Sequence, residues 1–94
     1  MVSQDDFNTD TTFIRVHSIL TDQLGLEIVL SQALLGKDLQ DDLGLDSLTM
    51  VTLQVSVEDE FDLRFDPILM DLASVFQTVG TLVDFVRANS ARVS

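Results

Sequence analysis

The sequence contains no cysteine, no tryptophan and no tyrosine, and it has a single proline. Without cysteine, the chain can form neither a disulfide nor a thiolate metal site. If thiol chemistry takes place on this protein, the sulfur must therefore come from an attached group. All six aromatic residues are phenylalanines, and this composition favours a mostly aliphatic core.

Basic residues are also scarce. Five Lys and Arg stand against sixteen Asp and Glu, which gives a formal charge of −11. Such a surface repels phosphate backbones and anionic lipids, so we expect neither nucleic acid nor a membrane as a partner. Proteins with basic patches are the expected partners, and their association should be sensitive to salt.

The chain lacks an apolar run long enough to span a membrane, and no basic and hydrophobic leader opens it, so we expect a cytoplasmic protein. Its 94 residues, 46% of them hydrophobic, fit one domain with a modest core. We expect a flexible tail over residues 1–10, a domain over 11–90 and a short tail over 91–94. The start at Met1 and the short tails favour a free-standing protein over a fragment of a larger one.

Apolar residues recur at spacings of three and four, and this spacing predicts an all-α four-helix bundle. The first helix covers about 11–24 and the second about 47–60. Asp66-Pro67 is typical of a helix start and predicts a short third helix over 67–76. Thr78 is a suitable N-cap for a fourth helix over 79–90.

A long segment separates the first two helices. Because long loops in small domains are usually functional or held down by their own apolar residues, we expect leucines to pin it to the bundle. The candidates are Leu35, Leu39, Leu43 and Leu45. A short helical turn is expected near 31–35.

The second helix carries two apolar stripes on nearly opposite sides. The longer stripe comprises Met50, Leu53, Val57 and Phe61, and the shorter one Leu48, Val51 and Val55. Either both stripes are buried, or the shorter one is an exposed docking patch with Glu58 and Asp59 at its rim.

Ser47 stands where an acidic, glycine-containing loop meets this helix. Taken alone, it could be an ordinary N-cap. A hydrolase triad with His17 and Asp46 is disfavoured, because no nucleophile elbow surrounds the serine and His17 lies on an apolar stripe. A calcium loop starting at Asp38 fails, because the required glycine and bidentate glutamate are missing. We therefore expect no metal site and no catalysis by the chain itself.

The stretch Asp42-Leu43-Gly44-Leu45-Asp46-Ser47-Leu48 resembles the Asp-Ser-Leu signature of acyl carrier proteins. The resemblance extends over about residues 11–88 and includes Gln23-Leu24-Gly25, Glu58-Asp59-Glu60-Phe61 and Thr78-Val79. It implies a four-helix bundle with a short third helix and a long loop between the first two.

The resemblance also implies that Ser47 Oγ is the attachment point of 4′-phosphopantetheine, which a phosphopantetheinyl transferase takes from coenzyme A. The arm's thiol would carry acyl groups as thioesters to acyl-loading enzymes such as an acyltransferase, and to a ketosynthase. Asp46 matches the acid that assists the transferase. The recognition face would be Leu48, Val51, Val55, Glu58 and Asp59, on a protein that we expect to be monomeric.

Some features depart from fatty-acid carriers. Thr49 and Thr52 stand where many of these have acids, and residues 74–82 look more like carriers of polyketide pathways. We therefore expect a polyketide carrier, with a fatty-acid carrier or an aminoacyl or peptidyl carrier as alternatives. An unmodified acidic adaptor that binds a basic partner through the second helix is a further alternative. Four apolar residues are candidates for lining an acyl chain: Leu53, Phe61, Leu69 and Leu82.

Overall fold

The computed structural model describes residues 11–89, so the two tails expected at 1–10 and 91–94 lie outside the described residues. Over this range the chain is helical, and its one extended pairing is an isolated bridge between Asp38 and Thr78. The elements are α1 (Thr11–Ser18), a π-helical segment (Ile19–Gln23), a 3₁₀ turn (Gln32–Gly36), α2 (Ser47–Phe61), α3 (Leu72–Val75) and α4 (Val79–Asn89). The expected all-α fold with four α-helices is confirmed.

The first helix follows the predicted span, but its last five residues are π-helical, which the apolar spacing did not indicate. The Thr21 hydroxyl donates to the carbonyl oxygen of His17 or of Ser18, each 3.2 Å away. Gly25 then takes a left-handed φ of 73°, and the helical path ends just before it, in agreement with the predicted span of about 11–24.

The third helix is shorter than predicted and starts later. It spans only Leu72–Val75, whereas Asp66-Pro67 opens a turn instead of a helix. The Asp66 carboxylate accepts from the Ile68 N–H at 2.9 Å, and the Asp66 carbonyl accepts from Leu69 and Met70. These hydrogen bonds form a separate turn over residues 66–70, and α3 starts only after Asp71.

One stripe of α2 forms part of the core and the other lies on the surface. Leu53, Val57 and Phe61 are buried in the same cluster as side chains of α1 and α4. In contrast, Leu48, Val51 and Val55 are 75%, 56% and 57% exposed. The helix is therefore buried on one face, and the alternative with two buried faces is wrong.

The 3₁₀ turn packs closely against the beginning of α4. A Cβ added to Gly80 would lie 2.8 Å from the carbonyl oxygen of Leu35, a separation that real Cβ atoms essentially never show. The absence of a side chain at Gly80 thus allows this approach. Elsewhere in the bundle, the Phe65 ring lies edge-on to the Phe76 ring and stacks on the Phe85 ring, with centroid distances of 4.9 Å and 5.4 Å.

Candidate functional site

The loop that leads to Ser47 is organised by its own acids. The Asp38 carboxylate accepts the backbone N–H groups of Gln40 and Asp41, each at 2.9 Å. In return, the Asp42 carboxylate accepts the N–H of Asp38 at 2.7 Å. Two of the acids in this loop are therefore occupied with backbone groups, as expected for turn-forming Asp residues.

The same loop is fastened to the rest of the bundle. The N–H of Leu39 donates to the Gln77 carbonyl at 3.0 Å, and the N–H of Val79 donates to the Lys37 carbonyl at 3.1 Å. Leu39 and Leu45 are buried, and Leu35 and Leu43 are partly buried against the core. All four leucines thus hold the loop as the sequence predicts.

Asp46, and not Ser47, caps α2. One carboxylate oxygen of Asp46 accepts the N–H of Thr49 at 2.8 Å. That backbone hydrogen bond is the main cause that holds the pKa of Asp46 below its usual value, and a hydrogen bond from the Thr49 side chain is the second cause. Asp46 is therefore ionised at neutral pH.

Ser47 occupies the first position of α2 and is exposed. Its hydroxyl makes no hydrogen bond to any other residue in 11–89, because capping is done by Asp46. A hydroxyl that is free, exposed and placed at the N-terminus of a 15-residue helix can carry a bulky anionic group, since the helix dipole favours negative charge there. The site thus fits a phosphodiester-linked arm.

His17 makes its hydrogen bond to the loop that follows α1, and not to Ser47. Its Nε2 atom lies 2.8 Å from the carbonyl oxygen of Ile28, so the ring ties α1 to the following loop as a partly buried, satisfied histidine. No group of three or more His, Asp or Glu side chains within 11–89 is arranged to hold a metal ion. Within this range, His17 is thus bonded to the Ile28 carbonyl oxygen, and no such cluster of side chains is found.

The acids at the end of α2 differ in their surroundings. Glu58 is half-buried, and its carboxylate accepts the N–H of Phe65 at 2.8 Å. Glu60 pairs with Arg15 at 3.2 Å. Asp59 is exposed and lies with Val55 and Arg64 beside a surface concavity. No pattern in the sequence indicates that Glu58 bonds to the connector after α2.

The four candidates for lining an acyl chain do not form one cluster. Leu53, Phe61 and Leu82 are in the packed core, whereas Leu69 is 79% exposed on the turn before α3. An acyl chain could reach the three buried residues only by displacing core contacts. Leu69 lies outside the core because the segment 66–70 forms the turn described above.

A groove between α2 and α3 lies on the Ser47 side of α2, and we call it the α2–α3 groove. It has a volume of about 310 Å³. Its lining comprises Asp38, Gln40, Met50, Val51, Gln54, Leu72, Ala73, Phe76 and Gln77. No sequence pattern indicates this groove, because its lining comes from three separate segments.

No helix within residues 11–89 is both long and apolar enough to span a bilayer.

Residues 15–86 match the family model for the phosphopantetheine attachment site. The chain is 39% identical to an acyl carrier protein of Trieres chinensis over 84 residues, which cover 89% of this chain and 99% of that one. It is 32% identical to an acyl carrier protein of Clostridium acetobutylicum over 78 residues, or 83% and 95% of the two chains. The chain therefore belongs to the acyl carrier protein family and, as its members do, carries a covalently attached 4′-phosphopantetheine.

Proposed function

We propose that Ser47 is the attachment site and that the chain delivers acyl groups to partner enzymes without catalysis of its own. The observation that carries this proposal is the placement of Ser47, which is exposed at the first position of α2 and whose hydroxyl bonds to no other residue in the described range 11–89. When bound, phosphopantetheine supplies a terminal thiol that holds an acyl group as a thioester. The absence of cysteine makes this thiol the only one on the protein.

Asp46 assists the modification in this proposal. Its carboxylate is ionised, exposed and adjacent to Ser47, and it is held in place by its bonds to Thr49. A fixed negative charge next to the serine suits a transferase that brings a metal ion to its coenzyme A substrate. The resemblance of the Asp-Ser-Leu stretch to acyl carrier proteins supports the same role.

The recognition face consists of Leu48, Val51, Val55, Glu58 and Asp59. Its three apolar residues are exposed in line behind Ser47, and Asp59 is an exposed acid at their far end. An apolar patch with an acidic rim is complementary to enzymes that present apolar residues among Lys and Arg. The transferase, an acyl-loading enzyme and a ketosynthase are the partners that we propose for this face.

We place the chain in a polyketide pathway, with fatty-acid synthesis as the alternative. Thr49 and Thr52 make the first half of α2 neutral, and Thr52 is exposed with its hydroxyl 3.2 Å from the Leu48 carbonyl. An enzyme that requires acids at these positions would bind this helix poorly. We also propose that the carrier works as a cytoplasmic monomer, because its net charge of −11 opposes self-association.

The proposal is tested by loading the modified chain with malonyl and fatty acyl groups, each with its own acyltransferase, and following the intact mass. Hydroxylamine treatment should release the acyl group, because it cleaves thioesters and the arm holds the only thiol. We expect malonyl loading to be faster. An acyl group that resists hydroxylamine, or loading of the unmodified chain, would overturn the carrier function. Faster fatty acyl loading would overturn only the pathway.

A further inference from the structure

A surface concavity of about 360 Å³ lies at the end of α2 that is remote from Ser47, and we call it the Arg64 concavity. Its lining comprises Val55, Glu58, Asp59, Asp62, Leu63 and Arg64. The first three of these residues also belong to the proposed recognition face. An enzyme that covers the end of this face therefore meets the Arg64 side chain as well.

The backbone around Arg64 is held on both sides. The Glu58 carbonyl accepts the N–H of Leu63 at 3.2 Å, and the Glu58 carboxylate accepts the N–H of Phe65 at 2.8 Å. Leu63 and Phe65 are buried, whereas Arg64 between them is exposed. The side chain of Arg64 thus extends into solvent from a backbone position that is fixed before any partner binds, which lowers the entropic cost of a contact there.

The charge of Arg64 is not neutralised by its neighbours. Its guanidinium forms neither a hydrogen bond nor an ion pair with any residue described between 11 and 89, although three acids line the same concavity. By contrast, Arg15 pairs with Glu60 at 3.2 Å and Arg87 with Asp84 at 3.0 Å. Arg64 therefore retains its N–H donors for a group on another molecule.

The chemistry of this side chain defines the group that fits it. A guanidinium presents a planar fork of N–H donors, which a carboxylate matches with two parallel hydrogen bonds. The acids beside Arg64 favour basic residues on a partner, whereas Arg64 itself requires an acid. A uniformly basic surface would place like charge against Arg64 and bind less well. The complementary partner thus carries a basic patch with a carboxylate at the edge that meets the end of α2.

We propose that Arg64 determines which acyl-processing enzymes use this carrier, by pairing with the carboxylate of an Asp or Glu on the enzyme. This inference rests on the proposed delivery of acyl groups from Ser47. It adds a positive charge to a recognition face whose other charges are negative. Enzymes that have such an acid are favoured, and enzymes with basic residues at this place are rejected.

The test measures kcat/KM for acyl transfer from the modified chain to a ketosynthase that accepts acyl groups from the native carrier. We expect Arg64→Gln to lower kcat/KM about three- to tenfold, because a charge pair at the edge of an interface contributes modestly. Arg64→Lys keeps the charge without the fork and should lie between Arg64→Gln and the native chain. Arg64→Glu should be the slowest. Circular dichroism should show that all three variants fold.

The sign of the effect distinguishes a specific pair from general attraction. Loss of a positive charge makes the carrier more acidic, and general attraction to a basic enzyme would then accelerate transfer. Arg87→Gln is the matched control, because it changes the net charge by the same amount on α4, outside the lining of the concavity. We expect its kcat/KM to equal the native value or to exceed it slightly.

A second experiment identifies the acid on the enzyme. Asp and Glu residues at the edge of the basic patch of the ketosynthase are replaced by Lys one at a time, and each variant is assayed with Arg64→Glu. One of these replacements should restore most of the native kcat/KM, because the two charges are exchanged across the same contact.

Three results overturn the proposal. They are transfer by Arg64→Gln and Arg64→Glu at the native rate or faster, an equal fall in Arg87→Gln, and a scan in which no replacement restores transfer. Acyl transfer by the native chain separates this inference from the proposed function. If the native chain carries no acyl group to the ketosynthase, both fail, whereas normal transfer that is unaffected by Arg64 contradicts the role of Arg64 alone.

Discussion

The carboxylate of Asp46 accepts the backbone N–H of Thr49 at 2.8 Å, while the neighbouring hydroxyl of Ser47 bonds to no other residue between 11 and 89. Both residue types are good N-caps, so either could have taken the role. The assignment matters, because a serine that caps the helix would lose that bond on modification. Here the arm can be attached without removing a contact that holds α2.

The first prediction concerns the pH dependence of this cap. The bond to Thr49 lowers the pKa of Asp46 in the folded state. The ionised carboxylate therefore contributes its full stabilisation at any pH above 3.8, the usual pKa of an aspartate. This stabilisation is lost as the pH falls below that value and through the lowered pKa of the folded state. Asp46→Asn keeps an acceptor that does not titrate.

We therefore expect Asp46→Asn to unfold at a lower temperature than the native chain at neutral pH, and the difference to shrink in acid. Thermal unfolding by circular dichroism across this pH range measures it. A difference that is the same at neutral and strongly acidic pH would show that the charge of Asp46 contributes nothing to the cap.

The second prediction uses the two stripes of α2. Leu53 is fully buried and Val51 is 56% exposed, although they are two residues apart. Leu53→Ala should lower the free energy of unfolding by about 2–5 kcal/mol, because it leaves a cavity in the core. Val51→Asp should change it by about 0.5 kcal/mol or less.

Urea unfolding measures both changes, and the rate of acyl transfer to a ketosynthase provides the functional readout. We expect Val51→Asp to slow transfer while the fold is preserved. A variant that unfolds would mean that Val51 supports the core, and a native transfer rate would remove it from the recognition face.

The third prediction separates the two acids at the end of α2. Glu58 accepts the N–H of Phe65 at 2.8 Å, whereas Asp59 is exposed. Glu58→Ala should destabilise the fold by about 1–2 kcal/mol, since the connector loses a charge-assisted hydrogen bond. Asp59→Ala, the matched control, should stay within about 0.5 kcal/mol of the native chain. Equal effects on urea unfolding would contradict the structural role of Glu58.

The fourth prediction tests the contact between the 3₁₀ turn and α4. Gly80→Ala should destabilise by about 1–3 kcal/mol, because its Cβ would meet the Leu35 carbonyl oxygen at 2.8 Å. Gly36→Ala is the control, since a Cβ there meets nothing within 4 Å. We expect it to be neutral or slightly stabilising in a thermal melt. Native stability in Gly80→Ala would mean that the turn moves away freely.

The sequence predicted the elements that depend on local signals. The spacing of apolar residues located α2, and Thr78, the predicted N-cap, marked the start of α4. Thr78 accepts the N–H of Thr81 at 3.1 Å as a cap should. These features follow from neighbours within one helical turn, which a sequence displays directly.

Features that depend on distant segments could not be read in this way. Asp66-Pro67 is compatible with a helix start and with a turn, and the structure has the turn. The bond from Phe65 to Glu58 joins positions that no periodicity links. Gln54 and Gln77 line one groove only because α2 lies across it from the segment 72–77. The exposure of Leu48, Val51 and Val55 likewise depends on which face of α2 packs against the other helices.

The most direct test of the central claim is the intact mass of the chain after incubation with coenzyme A and a broad-specificity phosphopantetheinyl transferase. Ser47→Ala and Ser56→Ala, both within α2, should be treated in parallel. We predict an increment of one phosphopantetheine on the native chain and on Ser56→Ala, and none on a folded Ser47→Ala. An increment that persists in Ser47→Ala would contradict the attachment site and the account of the loop and cap built around it.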